Sequence, residues 1–488
     1  MQSILTHLMP PLVLAHSPGW TFLGFFAVSG LISALVTIFI LKYQQNLGMD
    51  QPDARRKLHG KPISRLGGAS IFSALVVGMF LALQTYGVNW QRWSPIILCN
   101  SLVFAVGFLD DLKALGAKTK LVGQIGAALI LYALGVSIDM LSNPFGEGSI
   151  NLGWFSLPLT LMWLVAIPNI VNLIDGMDGL ATGFGLFICL TLAFVGYFSW
   201  QTDVVFACVV MSGALCGFLV FNFPPAKIFL GDGGAYLIGF FLASVSLLSS
   251  NKGSIIAGLL VMLVALGVPI LDTLFAILRR AIRGVPIFKA DAEHIHHRLI
   301  LLGYTKGQAL VALYAVCVAL SLVGISILLT KGLALPVAGA VLFVLAIAAA
   351  RYLGYIRTWK GLRRQINNAI ERRKEMEYLN THARLLELEV ERCATIDEFM
   401  AILTTSLRRI NMRPEPGEGR RMLDIPLVDG TLVTLFPPRQ EEHQVTDMSR
   451  KDLLAPSLSR AWEKWKVLPG LVISAPRMSA TAGETTVA

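Results

Sequence analysis

Residues 155–199 read FSLPLTLMWLVAIPNIVNLIDGMDGLATGFGLFICLTLAFVGYFS, two apolar runs (155–171 and 180–199) joined by the short polar segment 172–179. Asp175 and Asp178 are the only charged side chains in the stretch. A helix crosses the hydrocarbon of a bilayer with roughly 20 mostly apolar residues. The stretch therefore predicts two spanning helices whose connection carries the chemistry. The pattern recurs along the chain, at 20–41, 67–87, 94–109, 121–138, 203–221, 234–250, 254–277, 308–329 and 332–350. The expectation is an all-α polytopic membrane protein of about eleven transmembrane helices with a small C-terminal cytoplasmic α+β module.

Composition agrees. Hydrophobic residues make up 55% of the 488, charged residues 15%, and the mean hydropathy is +0.64. Soluble domains carry about 25% charged residues. Orientation follows from Lys and Arg, which cytoplasmic loops retain. None precedes Lys42, whereas 42–66 holds Lys42, Arg55, Arg56, Lys57, Lys61 and Arg65, and 278–307 holds Arg279, Arg280, Arg283, Lys289, Arg298 and Lys306. The opposite loops carry isolated charges such as Arg92, Lys252 and Lys331. The N-terminus is expected outside and the C-terminus in the cytoplasm. Residues 1–19 lack a basic n-region and contain Pro10 and Pro11, so they read as a lead-in to the first helix rather than a signal peptide. The net charge of +10 is that of basic loops facing anionic lipid and is no argument for nucleic acid. The six cysteines have neither metal-like nor redox-like spacing.

Five segments then share the cytoplasmic face: 42–66, 110–120, 172–179, 222–233 and 278–307. In the first, basic residues ending at Arg65 are punctuated by Pro52 and Pro62 and lead into Gly67 and Gly68. A basic loop explains the charge; the prolines and glycines add a shaped loop that can approach a phosphate. In the second, Asp110 and Asp111 end an apolar helix and Lys118 and Lys120 open the next. Paired carboxylates at the edge of hydrocarbon are costly to desolvate; they mark the membrane boundary, hold magnesium or activate a nucleophile. In the third, Asn172, Asp175 and Asp178 recur every three residues, on one face of a helical turn, and suit a hard cation or sugar hydroxyls. The fourth sets Asn222, Lys227, Phe229 and Asp232 among prolines and glycines, with Asp232 at a helix start: a magnesium ligand beside a helix N-terminus suited to phosphate, or a plain helix cap. The fifth carries His294, His296, His297 and Arg298; without thiolates nearby, these suit phosphate or sugar oxygens better than a transition metal.

Taken in order over about residues 20–350, these segments resemble the polyprenyl-phosphate N-acetylhexosamine-1-phosphate transferases. The resemblance implies that Asp110 and Asp111 are the family's paired aspartates, a base or lipid-phosphate site. It implies that Asn172, Asp175 and Asp178 form its NxxDGxDGL block, the first aspartate acting on the metal and its neighbours on the nucleotide-sugar. Asp232 is similar to the magnesium aspartate of the FxGDxG block, Phe229 to an aromatic stacked on uracil, Asn222 to a nucleoside contact and Lys120 to a pyrophosphate contact. HIHHR at 294–298 resembles the form in enzymes using UDP-GlcNAc, with a deoxy-aminosugar or muramyl-pentapeptide donor as alternative. Ser64 departs from the family, where proline commonly precedes Arg65. The implied reaction is transfer of GlcNAc-1-phosphate to undecaprenyl phosphate with release of UMP, using Mg2+ (Mn2+ as substitute), in a bacterial inner membrane. A non-enzymatic transporter is the contrasting reading, but transporters gather polar residues at the midplane rather than at one interface.

The expected domains are a transmembrane domain at 1–350, an amphipathic helical linker at 351–395, a small cytoplasmic module at 396–473 and a disordered tail at 474–488. The linker has a heptad-like rhythm that could pair two protomers as a homodimer. In the module, Thr395 and Glu398 form a capping box, strands flank Asp429-Gly430, and a short helix covers 457–466.

Overall fold

The computed structural model describes residues 19–43, 48–50, 63–86, 88–142, 149–248, 295–330, 335–352, 359–409, 423–426, 432–435, 444–465 and 472–474, with Gly267, Asp272, Ile277 and Arg280. The chain splits into two compact units, Met1–Leu278 with Ala290–Arg357, and Arg279–Lys289 with Thr358–Ala488.

The first unit contains α1 (Gly19–Tyr43), α2 (Gly67–Tyr86), α3 (Trp90–Leu112), α4 (Ala117–Ala133), α5 (Ser156–Ile174), α6 (Leu180–Phe198), α7 (Thr202–Asn222), α8 (Gly231–Leu248), α9 (Ile295–Leu301), α10 (Lys306–Leu329) and α11 (Leu335–Tyr352). Two small antiparallel pairs accompany them, β1 (Met49–Asp50) with β2 (Ile63–Ser64) and β3 (Met140–Ser142) with β4 (Ser149–Asn151). Among the described residues, eight helices are long and apolar enough to cross a membrane: those in α1, α2, α3, α5, α6, α7, α8 and α10. Their outer faces expose Leu31, Phe39, Met162, Val220 and Leu322, an apolar surface that lipid accepts and water does not. The chain is a multi-pass membrane protein.

Three expected spans are not among these eight, and the one read at 332–350 runs Leu335–Tyr352. The helix read at 121–138 runs Ala117–Ala133, because a Schellman turn closes it: the Gly135 N–H donates to Tyr132 O (3.0 Å) and the Val136 N–H to Leu131 O (3.2 Å). The span read at 254–277 lies outside the described residues except for Gly267, Asp272 and Ile277.

α8 is the axis of this unit. It packs on α2, α3, α5 and α6, and 94% of its span is buried, against 17% for α1. Small residues permit this packing, as between transmembrane helices generally. A Cβ at Gly107 of α3 would lie 2.7 Å from the carbonyl carbon of Asp232, and one at Gly239 of α8 would strike Pro168 of α5. The same device joins α1 to α7, where Gly30, Gly213 and Gly217 bring the two backbones together and Ser29 Oγ donates to Val210 O at 2.7 Å.

At the C-terminal end of α8, Arg92 is not the isolated charge that its loop suggested. Its guanidinium donates to Asp203 Oδ2 (2.6 Å) and to Leu248 O (3.0 Å), and Trp93 Nε1 donates to the same Asp203 oxygen (3.2 Å). A cation at a helix C-terminus is favourable, so this cluster fastens α3, α7 and α8 at the end away from Asp232.

The second unit comprises α12 (Trp359–Arg392), α13 (Ile396–Arg409), α14 (Gln444–Trp465) and a three-stranded antiparallel sheet in the order β5 (Leu423–Pro426), β6 (Leu432–Leu435), β7 (Val472–Ser474). The capping box is present: the Ala394 N–H donates to Glu398 Oε2 (3.1 Å) and the Glu398 N–H to Thr395 Oγ1 (3.4 Å). Two expectations change. Leu379, Leu386 and Val390 of α12 are buried with Phe399, Leu403, Ile425, Leu454 and Leu458, so the C-terminal half of the segment 351–395 belongs to this core instead of linking to it. The helix read at 457–466 starts at Gln444 and accommodates Pro456 within it.

Replacing Gly213 with leucine puts a side chain where Phe26 O now lies and should force α1 from α7. Overpacking of this kind costs about 1–3 kcal/mol, and thermal unfolding of the detergent-purified variant should show a midpoint several degrees below wild type.

Candidate functional site

The helix ends decide which residues meet. α3 and α5 finish, and α2, α4 and α8 begin, at the same end of the first unit, which brings Asp110, Asp111, Lys120, Asn172, Asp175, Asp232 and Arg65 together. Consecutive residues on a helix diverge by about 100°, so Asp110 and Asp111 at the end of α3 face different partners.

Asp111 turns inward. It is 8% exposed, and its two carboxylate oxygens accept the first amides of α8, from Asp232 N–H (2.9 Å) and Gly233 N–H (2.8 Å). This is an N-cap supplied by another helix. In this arrangement each Asp111 oxygen is engaged by an amide, and the Asp232 and Gly233 amides at the start of α8 are given to Asp111. Gly231 makes the approach feasible: its φ is +76°, and a Cβ there would strike Arg65 O and lie 2.6 Å from Asp111 Oδ2.

Asp110 turns to the loop. Oδ1 accepts from the Leu115 N–H (2.6 Å) and Oδ2 from Lys120 Nζ (3.1 Å). The same ammonium donates to Asp232 Oδ2 (2.8 Å), while Asn172 Nδ2 donates to Asp232 Oδ1 (2.9 Å). Lys120 therefore bridges two carboxylates, and Asp232 spans an ammonium and an amide. Tyr236, one turn along α8, directs its hydroxyl to Lys120 as well.

Asp175 differs from these. No hydrogen bond or ion pair reaches its carboxylate among the described residues. Desolvation pushes its carboxyl well above the usual carboxylate range, the charges of Asp232, Asp111 and Asp178 push the same way, and Arg65 opposes them. Asp178 accepts from the Ala226 N–H (3.2 Å) and lies 4.0 Å from Lys306 Nζ.

Asn222 is 2% exposed and fully committed inside the protein. Oδ1 accepts from the Gly179 N–H (3.1 Å) and Thr182 Oγ1 (2.9 Å), and Nδ2 donates to Ile228 O (2.9 Å). It ties the loop after α5 to the loop before α8, at the position whose resemblance implies a nucleoside contact. Phe229 is half-buried and its backbone is fixed, the amide donating to Ser64 O (2.8 Å) and the carbonyl accepting from the Gly67 N–H (3.1 Å). Ser64 accepts the Leu66 N–H on Oγ (3.1 Å).

Of the histidine segment, Arg298 is half-buried on α9; His294 and the side chains of His296 and His297 lie outside the described residues, as do Arg55, Arg56, Lys57, His59 and Lys61. The start of α9 is held by Asp272, whose Oδ1 accepts the Ile295 N–H (3.1 Å). Sequence reasoning passed over Asp272, Tyr236, Thr182 and Tyr314. A carboxylate inside the apolar run 254–277 was the available signal for Asp272; the other three had none.

Among the described residues no three carboxylate, His or Cys groups form a ready-made metal cage. Five carboxylates nevertheless gather against Arg65, Lys120 and Lys306, and Asp175 has no partner. Magnesium commonly takes only one or two protein carboxylates and completes its shell with substrate phosphates and water, so the residues fit such an ion.

Comparison with known proteins agrees with this arrangement. A family model described as glycosyl transferase family 4 matches residues 93–250. A Bacillus subtilis protein named probable undecaprenyl-phosphate N-acetylglucosaminyl 1-phosphate transferase is 36% identical over 292 residues, covering 60% of this chain and 80% of the relative. The chain belongs to glycosyl transferase family 4. Two further members are the decaprenyl-phosphate N-acetylglucosaminephosphotransferase of Mycobacterium tuberculosis H37Rv, 35% identical across 59% of this chain and 79% of its own, and the phospho-N-acetylmuramoyl-pentapeptide-transferase of Listeria welshimeri, 29% identical across 60% and 93%. The family match takes in Asp110, Asp111, Lys120, Asn172, Asp175, Asp178, Asn222, Phe229 and Asp232, the residues that α8 and its neighbours bring together.

These geometries separate two aspartates by stability. Asp111→Ala strips two buried amides of their acceptor and should cost about 1–3 kcal/mol. Asp175→Asn replaces a desolvated carboxyl that no hydrogen bond or ion pair reaches among the described residues and should leave the unfolding midpoint unchanged or raise it. Thermal unfolding of both variants in one detergent would read the contrast; equal losses would contradict the assigned roles.

Proposed function

We propose that this chain transfers GlcNAc-1-phosphate from UDP-GlcNAc to undecaprenyl phosphate, releasing UMP, and so starts a lipid-linked cell-surface polysaccharide. The observation that carries the proposal is the convergence of Asp110, Lys120, Asn172, Asp175 and Asp232 at one end of a buried helix. The names of the relatives at 36% and 35% identity, which specify N-acetylglucosamine and a polyprenyl phosphate, support the donor and acceptor. The muramyl-pentapeptide relative is more distant, at 29%, which favours UDP-GlcNAc.

An oxygen of the lipid phosphate attacks the β-phosphorus of the donor. The new P–O bond forms as the bond from that phosphorus to the bridging oxygen breaks, and the oxygen leaves on UMP. A phosphate monoester with a second pKa near about 6 is already largely dianionic at neutral pH, so the nucleophile needs no protein base; this favours a supporting role for Asp110, on the loop and on Lys120. Asp175 and Asp232 would hold Mg2+, with Mn2+ as a substitute. Bound there, the ion neutralises pyrophosphate charge, the main requirement of phosphoryl transfer. Lys120 exchanges a carboxylate for a pyrophosphate oxygen. Asn172 keeps Asp232 oriented, Asp178 faces the nucleotide-sugar, Phe229 offers its ring to the uracil, and Arg65 with the His294, His296, His297 and Arg298 segment takes phosphate or sugar oxygens.

The same reading places eleven spans in a bacterial inner membrane, with the N-terminus outside and the catalytic face and C-terminus in the cytoplasm. The second unit is then a cytoplasmic α+β module for regulation or partner binding. Polar residues at helix ends rather than at midplane tell against a transporter.

The test uses UDP-GlcNAc labelled in both sugar and β-phosphate with purified protein and undecaprenyl phosphate. Both labels should enter the lipid together as UMP appears, and removing magnesium or introducing Asp232→Ala should lower the rate by at least about a hundredfold, the scale of losing a main electrostatic contributor. Sugar label alone in the lipid would mean plain glycosyl transfer, and no incorporation from any UDP-N-acetylhexosamine would overturn the proposal.

A further inference from the structure

The loop carrying Asp175 and Asp178 ends at Gly179, whose φ of +76° turns the chain into α6. That peptide is gripped from both sides. Its N–H donates to the buried Asn222 (3.1 Å). Its carbonyl accepts the Gly183 N–H of α6 (2.9 Å) and, from another helix, the Tyr314 hydroxyl of α10 at 2.6 Å. The sequence on α6 makes room for this ring: a Cβ at Gly183 would fall on the Tyr314 hydroxyl and the carbon that bears it, and Phe187, one turn on, meets the ring edge-on with centroids 5.2 Å apart. Lys306, eight residues before Tyr314 and so on a similar face of α10, stands 4.0 Å from the Asp178 carboxylate. One helix thus touches the loop twice, once at a side chain and once at the backbone. Tyr314 lies beyond the residues 93–250 matched by the family model.

We infer that Tyr314 is a positioning residue for the nucleotide-sugar donor, acting through the Gly179 peptide to hold Asp178 in place. It touches no substrate itself. The inference rests on the transferase reading above and deepens it, because the residue it positions is one assigned to the donor. A phenol at this position does what packing alone cannot: its hydroxyl fixes the carbonyl of the left-handed residue that sets the direction of the whole loop. On that reading Asp178 faces the donor, so the effect should fall on donor affinity.

The test is Tyr314→Phe in the full-length, detergent-purified enzyme, which keeps the ring against Gly183 and Phe187 and removes only the oxygen. The KM for UDP-GlcNAc should rise about fivefold to tenfold, with kcat within about twofold and the KM for undecaprenyl phosphate unchanged, the signature of lost uniform binding. The unfolding midpoint should hold, whereas Tyr314→Ala should lower it. Gly183→Ala, which evicts the hydroxyl without touching Tyr314, should reproduce the donor effect. Calorimetric titration with UDP runs alongside. If wild type transfers nothing from UDP-GlcNAc, that result counts against the donor assignment, and the Tyr314 inference is decided by whether Tyr314→Phe weakens UDP binding by a similar factor. An unchanged donor KM and UDP affinity, or a fall in kcat alone, would overturn it.

Discussion

The pair of hydrogen bonds from the Asp232 and Gly233 amides to the Asp111 carboxylate fixes where α8 begins, and most of the first unit is arranged around that point. A buried carboxylate is tolerable only with donors on its oxygens, and the first amides of a buried helix are tolerable only with acceptors. Each requirement answers the other. Because Asp111 also ends α3, the contact sets the separation of two helices at their shared end, and Gly231 and Gly107 exist as glycines so that this separation can be small. Asp232, held by its own amide at the tip of α8, then meets Lys120 and Asn172 with little freedom. The Arg92 cluster fastens the far end of the same helix.

Hydropathy made the spanning helices legible because in a membrane the apolar run is itself the constraint. Charge asymmetry pointed to one shared face, and among the described residues Arg65, the turn from Asp110 to Lys120, the Asn172–Asp178 loop and the start of α8 meet at one end of the unit. What the sequence could not reveal was the division of labour. Asp110 and Asp111 look equivalent as neighbours, yet a turn of about 100° per residue sends one to a loop and a lysine and the other into the core. Asn222 sits in a segment whose resemblance pointed to a ligand, but the loops that close over it consume both ends of its amide. Arg92 and Asp203 lie far apart in sequence and pair only because α3 and α7 begin side by side. The end of α4 turned on a Schellman geometry, and α14 ran through Pro456, because capping and tertiary packing overrule hydropathy and propensity at element ends.

The charges at the site also explain why it is built on so rigid a frame. Lys120 divides itself between Asp110 and Asp232, one positive charge against two carboxylates, and Asp175 stands in the field of its neighbours. Unopposed, like charges at these distances drive side chains apart, and a loosely packed protein would relieve them by moving. Here the movement is blocked: Asp232 by the capped start of α8, Asp178 by the Ala226 amide, and the loop between α5 and α6 by Asn222 and Tyr314 at Gly179. The carboxyls are therefore held close together, with Arg65 and Lys120 as the cations beside them. The rigidity that makes the carboxylate cluster costly for the fold is thus what keeps Asp110, Asp175 and Asp232 together at the start of α8.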